Sequence, residues 1–276
     1  MKRASDVVKE YLDRKEEERK DPEKHRGIKT GIVDLDKALR GLHYGWLVYF
    51  AAQRKVGKTS TLVTLSKSFA EQGLKFLRIS LEEDEEQIIE RQISNEARVN
   101  RPLLRELEFS EEQWKEAREA GVRISKWEMF VDSQADTVDL IEKLIEGTDI
   151  RIIMVDMIHL MSDRGRYDNS TAEVAAISRK LKKLTRLNNT PMLVIVAAQL
   201  NDNNEYLQSR GLGRDADVAV KMYRELDATG APIENRVTVE IADSRHSGYA
   251  KFECYFDGAQ SLIGSMEQPV NINDLI

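Results

Sequence analysis

The chain has 276 residues, 41% of them hydrophobic and 33% charged, which allows a sizeable core and excludes disorder of the whole chain. Its net charge of −6 excludes a global basic field, and its single cysteine, Cys254, excludes a disulfide framework or a cysteine-rich zinc site. The charged N-terminus lacks the apolar core of a signal peptide and no apolar run is long enough to cross a membrane, which predicts a soluble protein of a reducing compartment.

The first predicted element is a highly charged helix from Ala4 to Lys20. One stripe of it is apolar and consists of Val7, Val8, Tyr11 and Leu12. A stripe this short does not fold alone, so the segment is either a solvated helix that frays or an arm that docks on another surface such as a neighbouring subunit. Asp21-Pro22 ends the helix. We therefore predict a helix and linker over residues 1–26 and the main domain over residues 27–276.

Strands and helices alternate through most of the main domain. Buried strands are predicted at residues 46–51, 75–80, 127–132, 150–155 and 191–198, with amphipathic helices between them, the last over residues 172–187. This alternation implies right-handed crossovers and a mostly parallel twisted sheet flanked by helices, an α/β fold. Three strands follow with few helical residues between them, at 218–225, 236–243 and 250–257. The last two predict an antiparallel hairpin on the sheet edge.

A phosphate-binding loop is predicted between the first buried strand and the helix after it. Its residues are Gln53, Arg54, Lys55, Val56, Gly57, Lys58, Thr59 and Ser60. Backbone N–H groups and the helix N-terminus offer partial positive charge, Lys58 adds a full charge at the β- and γ-phosphates, and the hydroxyl of Thr59 suits Mg²⁺. Ala52 stands where the usual pattern has Gly, so the strict motif is missed by one methyl group. The predicted ligands are ATP and Mg²⁺.

Polar residues end three of the predicted strands, where neighbouring parallel strands share one rim. Asp156 closes a wholly apolar strand and is the candidate that holds Mg²⁺, the alternative being an ordinary strand-terminal Asp. Glu82 is the candidate base for the attacking water, because it is the nearest of five acids to its strand. The other four acids are expected in the first turn of the next helix. Gln199 ends the strand at 191–198, where its amide is suited to sensing the γ-phosphate.

From Gly27 nearly to the C-terminus the chain resembles the motor domain of the replicative hexameric DNA helicases of the DnaB family, within the RecA-like ATPases. The similar segments are residues 27–36, the Ser80-Leu81-Glu82 motif with Glu86-Gln87 and Arg91, residues 154–161, residues 198–201, residues 211–217 and residues 241–246. His159 stands where the family usually has Gln, and Ala198 where it usually has Ser.

The resemblance implies an ATP hydrolase coupled to DNA unwinding. It implies a homo-oligomeric ring, a hexamer, that translocates on single-stranded DNA during DNA replication in the cytoplasm of a bacterial host cell. Primase or a helicase loader is the implied protein partner. The short segment before the motor domain looks like the family's linker helix, and such a compact form is expected of a phage or mobile-element protein.

The resemblance also implies roles for single residues. It supports Glu82 as the base, places Arg224 against the adenine, and makes Arg245 an arginine finger that reaches the nucleotide of the adjacent subunit. Asp243 replaces a Lys that is common beside that finger, and its negative charge would oppose the finger's field. Arg210 and Arg214 belong to the implied channel loop and are the candidates for DNA binding. A basic cluster at residues 179–186 is a second candidate, more typical of a solvated helix face.

Two other classes of function remain open from the sequence. The first is a recombination or repair ATPase of the same fold, which forms an open filament on DNA. The second is a degenerate accessory subunit that binds nucleotide without turning it over. Asp243, Ala198 and His159 are the departures that keep this second alternative open.

Overall fold

The computed structural model describes residues 3–21, 26–106, 108–207 and 212–266. Within these ranges a nine-stranded sheet forms with the order β3-β2-β4-β5-β1-β6-β7-β8-β9. The strands are β1 (Leu47–Ala52), β2 (Phe76–Ser80), β3 (Met129–Asp132), β4 (Ile152–Asp156), β5 (Leu193–Gln199), β6 (Val218–Tyr223), β7 (Arg236–Ser244), β8 (Ala250–Asp257) and β9 (Leu262–Ser265). Strands β1 to β6 are parallel, whereas β7, β8 and β9 are antiparallel. The predicted α/β fold with a mostly parallel sheet is confirmed.

Helices cover both faces of this sheet, but the first helix of the chain buries no residue against it. They are α1 (Ala4–Lys20), α2 (Val33–Leu39), α3 (Lys58–Glu71), α4 (Glu85–Ala97), α5 (Arg101–Glu106), α6 (Glu111–Ile124), α7 (Val138–Ile145), α8 (Ser170–Leu184) and α9 (Leu212–Asp215), with 3-10 turns at Ile158–Leu160 and Leu187–Asn189. Helices α4 and α6 both begin with a capping box, in which the N-cap side chain and a Gln three residues later each bond the other's backbone N–H. None of the helices in the described ranges combines the length and the apolar character that crossing a lipid bilayer requires.

Each face of the sheet is covered by its own hydrophobic core, and β1 shows how one strand serves both. Its even-numbered residues, among them Phe50, point into the core that α2 and α3 complete. Its odd-numbered residues, among them Tyr49, point into the core that α7 and α8 complete. All six residues of β1 are buried, which explains why the strand is an unbroken apolar run rather than an alternating one.

At the antiparallel end of the sheet, the prediction that the last two strands form the edge is wrong. Strands β7 and β8 pair as the expected hairpin, but the edge position is occupied by β9, which sequence reasoning missed. This strand has only four residues, too few for a clear periodic pattern. Helix α3 stabilises this strand, because the hydroxyl of Thr64 on α3 donates a hydrogen bond of 3.0 Å to the Ile263 carbonyl on β9. The short helix α5 was missed for the same reason, and α8 ends three residues before the predicted position.

Helix α1 differs from the rest of the fold because none of its residues is buried. Its apolar stripe is exposed by 48% at Val7, 56% at Val8, 50% at Tyr11 and 58% at Leu12. The helix is therefore formed as the sequence predicts. The boundary after residue 26 and the docking of this stripe on another subunit remain predictions.

The parallel register brings the functional candidates to one rim. Ala52, which ends β1, lies opposite Gln199 at the end of β5. Ser80, which ends β2, lies opposite Asp156 at the end of β4. We call this side, where the parallel strands end, the carboxyl rim, and the opposite side the amino rim.

Candidate functional site

The loop between β1 and α3 is closed on itself by Lys58. The Lys58 Nζ donates hydrogen bonds to the carbonyls of Ala52 at 3.0 Å and Gln53 at 2.9 Å. Burial lowers the pKa of this amine, while the carboxylates of Asp156 and Glu82 act in the opposite direction. Ala52 itself is an ordinary, fully buried strand residue, so the methyl group that departs from the usual motif meets no obstacle.

Glycine is required one residue before this lysine. Gly57 has φ +110°, and a Cβ atom there would lie 2.8 Å from the ring of Phe256. The chain therefore needs both the left-handed conformation and the missing side chain at this point. Among the other predicted loop residues, Val56 and Ser60 are buried, whereas Arg54 and Lys55 are exposed.

Thr59 and Asp156 form the second part of the site. The hydroxyl of Thr59 donates a hydrogen bond of 2.8 Å to Oδ2 of Asp156. Asp156 is 2% exposed, and burial raises its pKa against the opposing effects of this hydrogen bond and of Arg78. The other carboxylate oxygen, Oδ1, is buried without a hydrogen-bond partner in the described part of the chain. Such an orphaned hard oxygen beside a hydroxyl suits Mg²⁺.

A cavity of about 600 Å³ opens at the carboxyl rim and is lined by Thr59 of this pair. Of the predicted residues, it is lined by Arg54, Lys55, Gly57, Lys58, Thr59, Ser60, Glu82 and Gln199. Among the described residues, no group of three or more His, Cys, Asp and Glu side chains could hold a metal ion. A divalent ion at Thr59 and Asp156 therefore needs further oxygens from its ligand, as phosphates would supply.

The five acids after β2 separate into distinct roles. Glu82 is exposed and lines the cavity. Glu83 accepts hydrogen bonds from both Arg91 Nε, at 2.6 Å, and Arg91 Nη2. Asp84 is the N-cap of α4, and the first turn contains Glu85 and Glu86. The expectation of four acids in that turn is thus wrong for Glu83 and Asp84, because side-chain pairing and capping use them before the helix begins.

Sequence reasoning assigned no role to three further lining residues, Arg91, Arg101 and Phe256. Arg101 reaches Glu83 at 3.6 Å and Glu90 at 3.4 Å, and its Nη1 atom is buried without a hydrogen bond within the described ranges. Both arginines come from α4 and α5, which meet the rim only through tertiary packing. Arg91 stands in the motif that carries the resemblance, and this was the only available signal.

Phe256 connects the cavity with Arg224, the residue expected against the adenine. The Arg224 guanidinium lies 5.5 Å from the centre of the Phe256 ring and donates a 2.7 Å hydrogen bond to the Ile233 carbonyl. On the other flank, Gln53 Nε2 donates to the Asn201 and Asp202 carbonyls, both at 3.3 Å. The phosphate loop is therefore tied to the segment that follows β5.

Arg245 lies at the amino rim, away from this cavity. Its Nη2 donates a 2.6 Å hydrogen bond to the Arg214 carbonyl, and its Nη1 is 3.9 Å from Oδ1 of Asp217. Asp217 in turn accepts a 2.7 Å hydrogen bond from the backbone of Leu47, where β1 begins. The phosphate loop starts where β1 ends, roughly 17 Å further along the strand. Arg245 therefore cannot serve the phosphate site of its own chain.

The predicted DNA-binding residues are only partly described. Arg210 lies outside the described residues, whereas Arg214 is exposed on α9. In the basic cluster of α8, Lys180 pairs with Asp163 at 2.7 Å and Lys182 pairs with Asp217. The remaining basic side chains, Arg179, Lys183 and Arg186, are exposed, in keeping with a solvated face.

A parallel sheet with a phosphate loop after β1 and a buried acid at the end of β4, which β5 separates from β1, defines a P-loop protein of the RecA-like class. The family model described as "DnaB-like helicase C terminal domain" matches residues 27–263. This chain therefore belongs to the DnaB-like helicase C-terminal domain family, as the resemblance implied.

Comparison with individual proteins shows how similar this chain is to known helicases and ATPase domains. The chain is 32% identical over 269 residues to the replicative DNA helicase DnaB of Haemophilus influenzae, covering 90% of this chain and 57% of the relative. A solved structure described as an ATPase domain superposes with TM-score 0.84 at 22% identity, covering 95% of this chain and 99% of that one. A DnaB-like replicative helicase, solved in a study of its interactions with primase, gives TM-score 0.79 at 23% identity over 87% of this chain and 62% of that one. This chain spans about half the length of the curated relatives it matches.

Proposed function

We propose that this chain is the motor of an ATP-dependent DNA helicase, which hydrolyses ATP and moves on single-stranded DNA during replication. One observation carries the proposal beyond family membership. The chain presents a phosphate site at its carboxyl rim and an exposed arginine at its amino rim, and the two cannot meet within one molecule. Such a division suits an ATPase whose sites are completed between neighbouring subunits.

Within one subunit, Lys58 would bind the β- and γ-phosphates once its bonds to the Ala52 and Gln53 carbonyls are exchanged for phosphate oxygens. Thr59 and Asp156 would hold Mg²⁺, which when bound neutralises phosphate charge. Glu82 is the proposed base that orients and deprotonates the attacking water. Gln199 lines the same cavity and would sense the γ-phosphate.

The second half of the site would come from the neighbouring subunit. Arg245 has an exposed side chain and is the proposed finger that meets charge developing in the transition state. A head-to-tail contact that repeats carboxyl rim to amino rim closes a ring when its rotation allows, and the proposed ring is a hexamer. The exposed stripe of α1 is the proposed docking surface that adds to this contact.

Single-stranded DNA is the proposed track, bound by Arg214 and Arg210 copies contributed around the ring. Binding through phosphates tolerates any sequence and weakens as salt rises. Primase is a proposed partner, because a relative of similar fold was studied for its interactions with primase. The proposed location is the cytoplasm of a bacterial cell.

ATP hydrolysis measured with and without single-stranded DNA tests this function. The wild-type protein is expected to hydrolyse ATP, to be stimulated by DNA and to displace a strand from a forked duplex. Electron microscopy of the same sample should show closed rings. Open filaments would favour the recombination ATPase instead, and absence of turnover under all conditions would favour the degenerate accessory subunit.

A further inference from the structure

His159 closes a ring of hydrogen bonds between the phosphate cavity and the segment that precedes the proposed DNA loop. Its Nε2 lies 2.7 Å from the Leu207 carbonyl, and its Nδ1 accepts from the Gln199 backbone N–H at 3.4 Å. The ring is completed by the Leu207 N–H, which donates to the Gln199 carbonyl at 2.9 Å. Three residues from three segments are thereby held by one another.

This ring of hydrogen bonds fixes the protonation state and the tautomer of the imidazole. Nδ1 accepts from an N–H and so carries no proton, which leaves Nε2 as the donor to the Leu207 carbonyl. The ring therefore requires the neutral form. Burial lowers the pKa of His159 against the opposing effect of the hydrogen bond to the Leu207 carbonyl, and the nearby charge of Lys58 acts in the same direction as burial, so the neutral form prevails at neutral pH.

This ring of hydrogen bonds lies between the nucleotide cavity and the part of the chain that leads to Arg214. Gln199 lines the cavity in which the γ-phosphate would lie, whereas Leu207 is the last described residue before the segment that contains Arg210 and leads to Arg214. His159 itself follows Asp156 by three residues, in the 3-10 turn after β4. A displacement of Gln199 by nucleotide would therefore pull on Leu207 both directly and through the imidazole.

We propose that His159 is a positioning residue that couples the state of Gln199 at the nucleotide site to Leu207, and so to the proposed DNA contact at Arg214. The inference rests on the proposed function and deepens it, since it names the side chain through which the two sites communicate. Coupling of this kind is a free energy shared between sites and does not require His159 to touch nucleotide or DNA.

The required chemistry is one acceptor and one donor at fixed separation. A glutamine amide offers both, through its oxygen and its NH₂ group, whereas leucine fills similar volume and offers neither. Asparagine has both groups but a side chain one methylene shorter. The three variants His159→Gln, His159→Leu and His159→Asn therefore separate hydrogen bonding from packing.

The experiment measures ATP hydrolysis of the full chain with and without a poly-dT oligonucleotide, together with the affinity for a fluorescent ATP analogue. We expect His159→Leu to reduce the DNA stimulation ratio by about fivefold or more, with a smaller change in nucleotide affinity. His159→Gln is expected to keep most of the wild-type ratio.

The outcomes are separable. Wild-type stimulation that persists in His159→Leu overturns the inference and leaves the proposed function standing. A glutamine variant as defective as the leucine variant also overturns it, because the amide preserves the required groups. If circular dichroism shows that His159→Leu does not fold, the DNA stimulation ratios of His159→Gln and His159→Asn are compared instead. Equal stimulation ratios in these two variants count against coupling. A wild-type protein without ATP turnover contradicts the proposed function itself.

Discussion

The two rims of the sheet are built in opposite ways. At the carboxyl rim Lys58 and Asp156 are buried and bonded to their own chain, Lys58 to two carbonyls and Asp156 to Thr59. At the amino rim the side chain of Arg245 is 54% exposed and lies 3.9 Å from its acidic neighbour, Asp217. A preorganised phosphate site needs only its ligand, whereas an exposed arginine has its charge free for another molecule. This difference supports the proposal that one chain contributes halves of two different sites.

The largest expected effect comes from the carboxyl rim. Lys58→Ala removes the only side-chain cation that bonds inside the phosphate loop in the described part of the chain, and ATP hydrolysis should fall by about a thousandfold or more. A steady-state phosphate-release assay measures this loss. Lys37→Ala, an exposed lysine of α2 outside the cavity, is the control and should retain wild-type turnover. Full turnover by Lys58→Ala would refute the role assigned to this lysine.

Arg245→Ala should also abolish most hydrolysis, by about a thousandfold, but without loss of nucleotide binding. The sharper test mixes the two inactive variants after dissociation and reassembly. In a mixed oligomer some interfaces pair the intact Lys58 of one subunit with the intact Arg245 of the next, about a quarter of them if assembly is random. Hydrolysis should therefore reappear on mixing. If the mixture stays as inactive as its components, the arginine does not act between subunits.

The sequence predicted the carboxyl rim well because its signals are local. The loop from Gln53 to Ser60 and the acid that closes an apolar strand are both contiguous patterns, and parallel register brings them together without further information. The amino rim is different. Arg245 was nominated by resemblance alone, since no local pattern distinguishes it from a surface arginine of a hairpin.

The features that the sequence did not reveal depend on tertiary contact. Arg101 reaches the cavity because its backbone N–H donates a 2.9 Å hydrogen bond to the Ala259 carbonyl, far away in the chain. Strand β9 is defined by pairing with β8 and by its bond to α3, not by its own four residues. The ring around His159 joins three separate segments, and the sequence marked that residue only as a departure from the family pattern.

A smaller effect is expected at the amino rim, where removing the negative charge of Asp243 should increase the rate of ATP hydrolysis. Asp243 is exposed on β7, two residues before Arg245, and places negative charge beside the proposed finger. Asp243→Asn removes that charge at nearly constant size, and kcat for ATP should rise by about two- to fivefold, the effect of one screened charge. The rise should shrink at high salt. Asp257→Asn, at the end of β8, is a poor control because its carboxylate accepts two backbone hydrogen bonds, so Glu253→Gln on the exposed face of β8 serves better. A fall in kcat would show that Asp243 supports the finger.

The smallest expected effect concerns the sheet itself, which keeps the two rims apart. Cys254 lies fully buried on β8, and burial raises the pKa of its thiol to about 12. Because only the thiolate reacts, a thiol reagent at pH 8 should label the folded protein far more slowly than the unfolded chain. Labelling rates with rising urea then report when the antiparallel end of the sheet opens. Coincidence of that transition with loss of far-ultraviolet circular dichroism is expected if both rims belong to one cooperative unit. Labelling well before global unfolding would show that β8, the strand that follows the proposed finger, moves independently of the phosphate site, and the rims would then not be held at a fixed separation.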